Sequence, residues 1–290
     1  MEYKEYFFTI DEKDSDMAEL SLYEAGIISY SEEEVISDGK KQILFRIFPE
    51  NGEGSFVSEL SGRLQENGVK TSGIKNDKLD DSYLDSWKKY YHGGRAGNFD
   101  IIPAWEFDGG KTKENEIVID PGRSFGTGTH ETTSLAIEAL EKYIKPGDKA
   151  CDIGFGSGIL SIAALKMGAG LVRGTDIEDM ALLSARQNFA LNGLTFPEKD
   201  YLLGDIISDR ECFERLSPGE NDLVMANLLT DIILEMKERL YELLRPGGKL
   251  ITSGIIDERA GGLFEEMEEI GFKEIKRINS GEWVSFVFAK

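Results

Sequence analysis

The chain is poor in cysteine and has no long apolar run. Its two cysteines, Cys151 and Cys212, lie far apart and have no histidine cluster nearby, so neither a zinc site nor a disulfide framework is indicated. No segment approaches the roughly 18 apolar residues of a membrane-spanning helix. The first residues, MEYKEYFFTIDEKD, carry acids where a secretory signal would carry bases. We therefore expect a cytoplasmic protein in a reducing compartment.

Basic residues are also scarce. The 290 residues include 33 Lys and Arg against 54 Asp and Glu, which gives a formal charge of −21. This balance disfavours direct contact with a nucleic acid backbone and favours a basic partner. An acidic surface would equally suit a chain that it merely keeps in solution, so the charge does not identify the partner. The length allows one large and one small domain, each with its own core.

Three glycines at alternate positions separate a predicted strand from a predicted helix. The strand is Lys149–Ile153, the glycines are Gly154, Gly156 and Gly158, and the helix is Ile159–Ala169. Such a turn lets backbone N–H groups approach a ligand at the N-terminus of the helix. A small polar ligand is therefore expected at this turn.

Two common nucleotide motifs are missing from the turn. The dinucleotide fingerprint needs its third glycine five positions after the first, and Ile159 occupies that position. A P-loop needs a Gly-Lys-Ser/Thr triplet, and none follows Gly158. Asp176, at the end of the next predicted strand, could accept hydrogen bonds from two ribose hydroxyls. Together these patterns favour a nucleoside without a polyphosphate.

The order of predicted elements divides the chain into three parts. Residues 1–75 follow the order β-α-β-β-α-β of a ferredoxin-like α+β sandwich, with the fourth strand at Val69–Ile74. Residues 76–98 are polar and then glycine-rich, as expected of a linker between domains. In residues 99–290 strands alternate with helices, one of them at Leu229–Leu244. This alternation predicts an α/β, doubly wound, mostly parallel Rossmann-like sheet, to which a closing hairpin adds an antiparallel edge.

Polar residues follow four of the predicted strands in the larger part. They are Asp152–Gly158, Asp176, Gly204-Asp205 and Asn227. Each of them alone is an ordinary turn residue. Because ligands of open α/β sheets bind beyond the carboxyl ends of the strands, we predict that these residues share one pocket.

The same segments resemble a known family. DIGFGSG and GTDIED resemble the first two motifs of class I methyltransferases that use S-adenosylmethionine. DPGRSFGTGTHETT, MANLL, LRPGGKLITSGI and GEWVSFVFAK resemble, more narrowly, the bacterial ribosomal protein L11 methyltransferases of the PrmA type. The resemblance covers most of the chain. It implies S-adenosylmethionine as cofactor and methylation of the lysine side-chain and N-terminal amines of ribosomal protein L11.

The resemblance also implies a cofactor-binding set. In it the glycines shape the cradle and Asp176 binds the ribose, while Asp152 accepts from the methionine ammonium and Asp205 or its neighbours meet the adenine amine. No catalytic side chain is assigned, because the transfer depends on holding the methyl donor and the amine in line. For His130 we favour hydrogen bonds that order its loop over a role as a proton relay. The predicted cofactor-binding residues are Thr133, Gly154, Gly156, Asp176, Asp205 and Asn227.

Some residues bear on the acceptor or depart from the family pattern. Leu228-Leu229 follow Asn227, where methylases of amides or adenine carry Asn-Pro-Pro-Tyr, and this favours an amine acceptor. Phe155 stands where cysteine is usual and Glu131 where proline is usual, and neither removes a matched cofactor residue. Residues 206–221 are longer than the family leads us to expect.

The resemblance implies that residues 1–75 bind the protein substrate. Their sixteen acids and eight bases argue against RNA as that substrate, and a dimerising or stabilising domain is the alternative. We expect a monomer that binds no nucleic acid or membrane directly. The competing hypotheses for the whole chain are a methyltransferase acting on a small molecule or on another protein, a nicotinamide-dependent dehydrogenase, and a non-catalytic nucleoside-binding module.

Overall fold

The chain folds into two compact units, Met1–Tyr90 and Tyr91–Lys290. The computed structural model describes residues 4–25, 27, 30–37, 40–47, 56–78, 93–120 and 130–290. The predicted FGTGTH loop as far as residue 129 and most of the predicted linker 76–98 lie outside the described residues.

The described residues of the first unit form one antiparallel sheet and two α-helices. Its sheet has the order β2-β3-β1-β4, which is the ferredoxin-like arrangement that the element order predicts. Phe8 of the first strand stacks on Phe45 of the third at 5.4 Å between ring centroids, and both side chains are fully buried. The elements are β1 Lys4–Asp11, α1 Ser15–Glu24, β2 Tyr30–Ser37, β3 Lys40–Ile47, α2 Phe56–Glu66 and β4 Lys75–Lys78.

The fourth strand begins later than predicted. Val69–Ile74 contributes only an isolated bridge between Thr71 and Ile10, and regular pairing with β1 starts at Lys75. The hydroxyl of Ser72 accepts the Thr9 N–H in place of a backbone carbonyl. Gly73 then adopts a φ of +83°, which is outside the β region. These two features interrupt the ladder, so the prediction for this strand is wrong by about one strand length.

The second unit begins with a small sheet whose pairing the sequence does not reveal. It consists of β5 Gly94–Ala96, β6 Phe99–Pro103 and β7 Glu116–Ile119. The first pair is antiparallel and the second is parallel. β5 lies within the range predicted for the linker, so part of that range belongs to a sheet of the second unit.

The main sheet of the second unit has seven strands in the order β10-β9-β8-β11-β12-β14-β13. The five from β10 to β12 are parallel, and β14 runs antiparallel between β12 and β13. This confirms the mostly parallel, doubly wound sheet. Its elements are α3 Glu131–Tyr143, β8 Lys149–Ile153, α4 Ile159–Lys166, β9 Leu171–Asp176, α5 Asp179–Leu191, β10 Tyr201–Leu203, α6 Arg210–Arg215, β11 Asn221–Asn227, α7 Thr230–Glu235, α8 Lys237–Leu243, β12 Leu244–Ile256, α9 Asp257–Ile270, β13 Lys273–Ser280 and β14 Trp283–Ala289.

Both faces of this sheet are covered. Along β8 successive side chains point to opposite faces, so Ala150 joins one hydrophobic core while Cys151 and Ile153 join the other. The first core also receives Ile162 and the second Leu263, from helices on the two sides. Every side chain of β8 after Lys149 is buried, as this double covering requires.

Two details differ from the sequence prediction. The helix expected at Leu229–Leu244 is divided into α7 and α8 at Met236, although no glycine or proline marks the break. Residues 206–221 contain the short helix α6, which buries Cys212 and Phe213 against the second core. Among the described residues, no helix has the length and apolar character needed to cross a membrane.

Candidate functional site

A cavity of about 610 Å³ lies at the carboxyl ends of β8, β9, β10 and β11. Its volume is in the range of small-molecule sites. Five of the six predicted cofactor-binding residues line it, and Thr133 does not. The lining residues are His130, Thr132, Asp152, Ile153, Gly154, Phe155, Gly156, Ile159, Leu160, Thr175, Asp176, Ile177, Glu178, Gly204, Asp205, Ile206, Asn227, Leu228, Leu229, Ile232, Met236, Gly254 and Trp283.

The glycine turn needs its glycines for two different reasons. Gly154, Gly156 and Gly158 have φ values of +72°, +49° and +77°, in the left-handed region that other residues rarely adopt. A Cβ on Gly154 would lie 2.6 Å from Cδ2 of Leu228, at the cavity wall. A Cβ on Gly158 would lie 3.1 Å from Cβ of Ala185 in α5. The first glycine therefore gives room at the site, and the third lets a neighbouring helix pack closely.

Asp176 connects the end of β9 to this turn. One carboxylate oxygen accepts the Gly156 N–H at 2.8 Å, and the other accepts the Glu178 N–H at 3.0 Å. Each carboxylate oxygen has a further lone pair. Since Asp176 also lines the cavity, it can receive two hydroxyl donors without giving up either backbone bond.

Asp205 has a different arrangement. Its two oxygens accept the Ile207 N–H at 2.9 Å and the Ser208 hydroxyl at 2.7 Å. Burial opposes ionisation, but the hydrogen bonds outweigh it and the pKa of Asp205 is lowered. The carboxylate thus stabilises its own turn as well as facing the cavity.

Asp152 is the most deeply buried carboxyl group of the site, with 1% of its surface exposed. The Ser161 hydroxyl donates to it at 2.6 Å. Burial raises its pKa to about 7, against the opposing effect of that hydrogen bond. A positive charge in the cavity would favour the ionised form.

Asn227, at the end of β11, carries an unmet hydrogen-bonding group. Its Oδ1 is buried and has no hydrogen-bond partner among the residues that the structure describes. Its Nδ2 lies 3.5 Å from the hydroxyl of Thr133, which is 1% exposed and sits behind the amide. A buried carbonyl without a partner is costly and is usually explained by a missing donor. Because Asn227 lines the cavity, a ligand N–H or O–H group that reached Oδ1 would satisfy it.

His130 begins α3. Its Nδ1 accepts the Thr132 N–H at 3.3 Å and lies 2.9 Å from the Thr132 hydroxyl, which makes it the N-cap of the helix. Its ring also meets Trp283 edge to face at 5.2 Å between centroids. The structure thus shows the histidine ordering its own segment, as the sequence analysis favours.

The sequence analysis did not identify the apolar wall of the cavity. Leu229 and Ile232 follow Asn227 and are 63% and 39% exposed, and Ile177 follows Asp176 with 74% exposed. Trp283, the first residue of β14, also belongs to this wall. The available signal was an apolar residue directly after a polar strand end, where a turn would usually be polar.

The fold and the site together define a class I methyltransferase. A parallel sheet with one antiparallel strand near its edge carries a glycine turn and a strand-end carboxylate at one cavity. The described residues contain no group of His, Cys, Asp and Glu suited to a metal ion. S-adenosylmethionine is the cofactor of this class, and the cavity volume and its carboxylates suit it.

Comparisons with known proteins give the family. The model of the family "Ribosomal protein L11 methyltransferase (PrmA)" matches residues 10–290. A ribosomal protein L11 methyltransferase of Lachnospira eligens is 34% identical over 258 residues, 86% of this chain and 80% of that protein. One of Carboxydothermus hydrogenoformans is 39% identical over 241 residues, 81% of this chain and 75% of that protein.

A solved structure agrees with these matches. The ribosomal protein L11 methylase of Lactobacillus delbrueckii subsp. bulgaricus superposes with a TM-score of 0.59 at 32% identity and covers 69% of this chain and 99% of that one. The chain belongs to the ribosomal protein L11 methyltransferase family, which confirms the resemblance seen in the sequence.

Proposed function

We propose that this chain transfers methyl groups from S-adenosylmethionine to the lysine side-chain and N-terminal amines of ribosomal protein L11. The observation that carries the proposal is the family match over residues 10–290, whose relatives are named for that activity. Asn227, which lines the cavity and whose buried Oδ1 has no partner among the described residues, supports an amine as acceptor.

The half of the cavity at β8, β9 and β10, called the first half, holds the cofactor. Asp176 would accept hydrogen bonds from the ribose hydroxyls, and the backbone of Gly154 and Gly156, which lines the cavity, would lie against the cofactor. Asp152 accepts from the methionine ammonium and is ionised by its charge. Asp205 and its turn meet the adenine, with much of the carboxylate's capacity already used by Ile207 and Ser208.

The half at β11 and β14, called the second half, receives the amine. S-adenosylmethionine supplies a methyl group that the positive sulfonium has already activated, so the chain needs no nucleophile of its own. The reacting amine must be neutral, which for a lysine with a pKa near 10.4 costs about 4 to 5 kcal/mol at pH 7. The apolar wall of Leu229, Ile232 and Trp283 lowers this cost, because burial disfavours the ammonium form. Oδ1 of Asn227 then accepts an N–H of the amine and orients it.

Thr133 takes part through Asn227. Its hydroxyl faces the Asn227 amide and its side chain is not among the cavity lining. In this arrangement Thr133 holds the amide from behind, and the direct cofactor contact expected from the sequence remains a prediction.

The first unit, which contains residues 1–75, captures the protein substrate in this proposal. The excess of acids there suits a basic protein, and the charge of the whole chain disfavours nucleic acid. We further propose that the enzyme acts in the cytoplasm as a monomer and needs no membrane.

The decisive experiment incubates the enzyme with isotopically labelled S-adenosylmethionine and three acceptors: purified ribosomal protein L11, polylysine and free lysine. Mass spectrometry of the products then identifies the methylated amines. We expect methylation of ribosomal protein L11 at amines and much weaker labelling of the other two. Equal labelling of free lysine would support the small-molecule alternative, and cofactor binding without any labelling would support a non-catalytic module.

A further inference from the structure

Two asparagines at the end of α5 make an unusual set of side-chain bonds. Asn188 and Asn192 are 0% and 5% exposed and lie four residues apart, so they occupy one face of the helix end. The amide of Asn192 accepts the Val118 N–H at 3.0 Å and donates to the Val118 carbonyl. The amide of Asn188 accepts the Asp120 N–H at 2.8 Å and donates to the Asp120 carbonyl at 3.2 Å. Both side chains thus pair with β7 and the residue after it as a neighbouring strand would.

Asn188 differs from Asn192 in the second bond that Nδ2 donates. In Asn192 this bond goes to the Asn188 carbonyl at 2.8 Å, and in Asn188 it goes to the Ser157 carbonyl at 2.9 Å. Ser157 lies inside the glycine turn, between Gly156, whose N–H is held by Asp176, and Gly158, which packs on Ala185 of α5. One buried amide therefore joins the turn to β7, using its carbonyl and both of its N–H donors.

The orientation of this amide is fixed by its partners. If the oxygen and nitrogen of Asn188 were exchanged, two donors would face each other at the Asp120 N–H and two acceptors at the Ser157 carbonyl. The side chain therefore sets where the turn lies and cannot satisfy its partners otherwise.

We infer that Asn188 is a positioning residue for the cofactor: by holding the Ser157 carbonyl, it fixes the glycine turn in the conformation that binds S-adenosylmethionine. Asn192 makes the equivalent contacts to β7 but none to the turn, so it serves stability alone. The inference rests on the proposed function only in that the ligand of the turn is S-adenosylmethionine.

The test compares Asn188→Ala with Asn192→Ala. Each variant removes two hydrogen bonds to the backbone of the 118–120 segment, so both lose stability in a denaturant titration. Only Asn188→Ala also removes a hydrogen bond to the glycine turn. We expect the Kd for S-adenosylmethionine, measured by calorimetry, to rise about tenfold in Asn188→Ala, the effect of one lost hydrogen bond. It should change by less than about twofold in Asn192→Ala. The kcat at saturating cofactor should fall less than the affinity.

A second pair covers the case in which an alanine variant does not fold. Asn188→Gln and Asn192→Gln keep the amide and displace it by one carbon bond, roughly 1.5 Å. The same contrast in Kd is expected, with weakening in the Asn188 variant alone. Equal Kd values in the two variants of either pair would overturn the inference. If the unaltered enzyme binds no S-adenosylmethionine, the proposed function itself fails, so the two failures are distinguishable.

Discussion

The two halves of the cavity satisfy their polar groups in opposite ways. At β8, β9 and β10 the carboxylates of Asp176 and Asp205 already accept hydrogen bonds from their own loops. At β11 and β14 the wall is largely apolar, and the buried carbonyl of Asn227 has no partner in the described part of the chain. The first half is organised before any ligand arrives, as a site for a constant cofactor should be. The second half is completed only by an acceptor that brings a donor.

The largest effect should come from removing the carboxylate at the end of β9. In Asp176→Ala the cofactor loses two acceptors and the turn loses its bond to the Gly156 N–H. Hydrogen bonds to a charged group contribute about 1.5 to 3 kcal/mol, so we expect the Kd for S-adenosylmethionine to rise about 100-fold in calorimetry. Asp205→Ala is the control, with a rise of only a few-fold, because that carboxylate mainly serves its own turn. Equal effects of the two changes would break the comparison within the first half.

The next effect concerns the buried carboxyl group of Asp152 in the first half. The folded-state pKa of Asp152, about 7, lies above that of an unfolded aspartate. The free energy of unfolding without ligand should therefore fall as the pH rises through about 4 to 7, by about 2 to 3 kcal/mol between pH 5 and pH 8. Asp152→Asn should remove this dependence in denaturant titrations and weaken cofactor binding at pH 8. A pH dependence that persists in Asp152→Asn would show that the charge lies elsewhere.

In the second half, Asn227→Leu should lower kcat while it stabilises the protein. The change removes the buried carbonyl that has no partner, so the free energy of unfolding should rise by up to about 1 kcal/mol. The kcat for ribosomal protein L11 should fall about tenfold, since the amine loses its orienting acceptor. Cofactor affinity, measured by calorimetry on the same preparation, should stay within about twofold. A large rise in the cofactor Kd would instead assign Asn227 to the first half, as the sequence resemblance does.

Features that depend on adjacent residues were predictable from the sequence. The glycine turn, Asp176 and Asn227 follow from a few neighbouring positions and the general rule for strand ends, and the structure brings them to one cavity. Asn188 was overlooked because its partners Asp120 and Ser157 are 68 and 31 residues away in the sequence.

The pairing of the small sheet and the break between α7 and α8 were missed for a related reason. Parallel pairing of β6 with β7 is set by packing, and Met236 carries no local signal for the end of a helix. Elements of this kind become visible only when residues distant in the sequence are brought together.

The smallest effect tests the two halves with one substitution made twice. Ile177 and Leu229 both follow a polar strand end, both line the cavity, and they are 74% and 63% exposed. A lysine at either position adds an exposed positive charge, whose interaction amounts to about 0.2 to 1 kcal/mol. Leu229→Lys should raise the KM for ribosomal protein L11 about threefold at low salt, and leave the cofactor Kd unchanged. Ile177→Lys should raise the cofactor Kd, because the cofactor is itself positively charged at its sulfonium, and should leave the KM for ribosomal protein L11 unchanged. If each substitution affected both constants equally, the cofactor and the acceptor would share the exposed rim of the cavity. The two sides would then differ only at the buried residues.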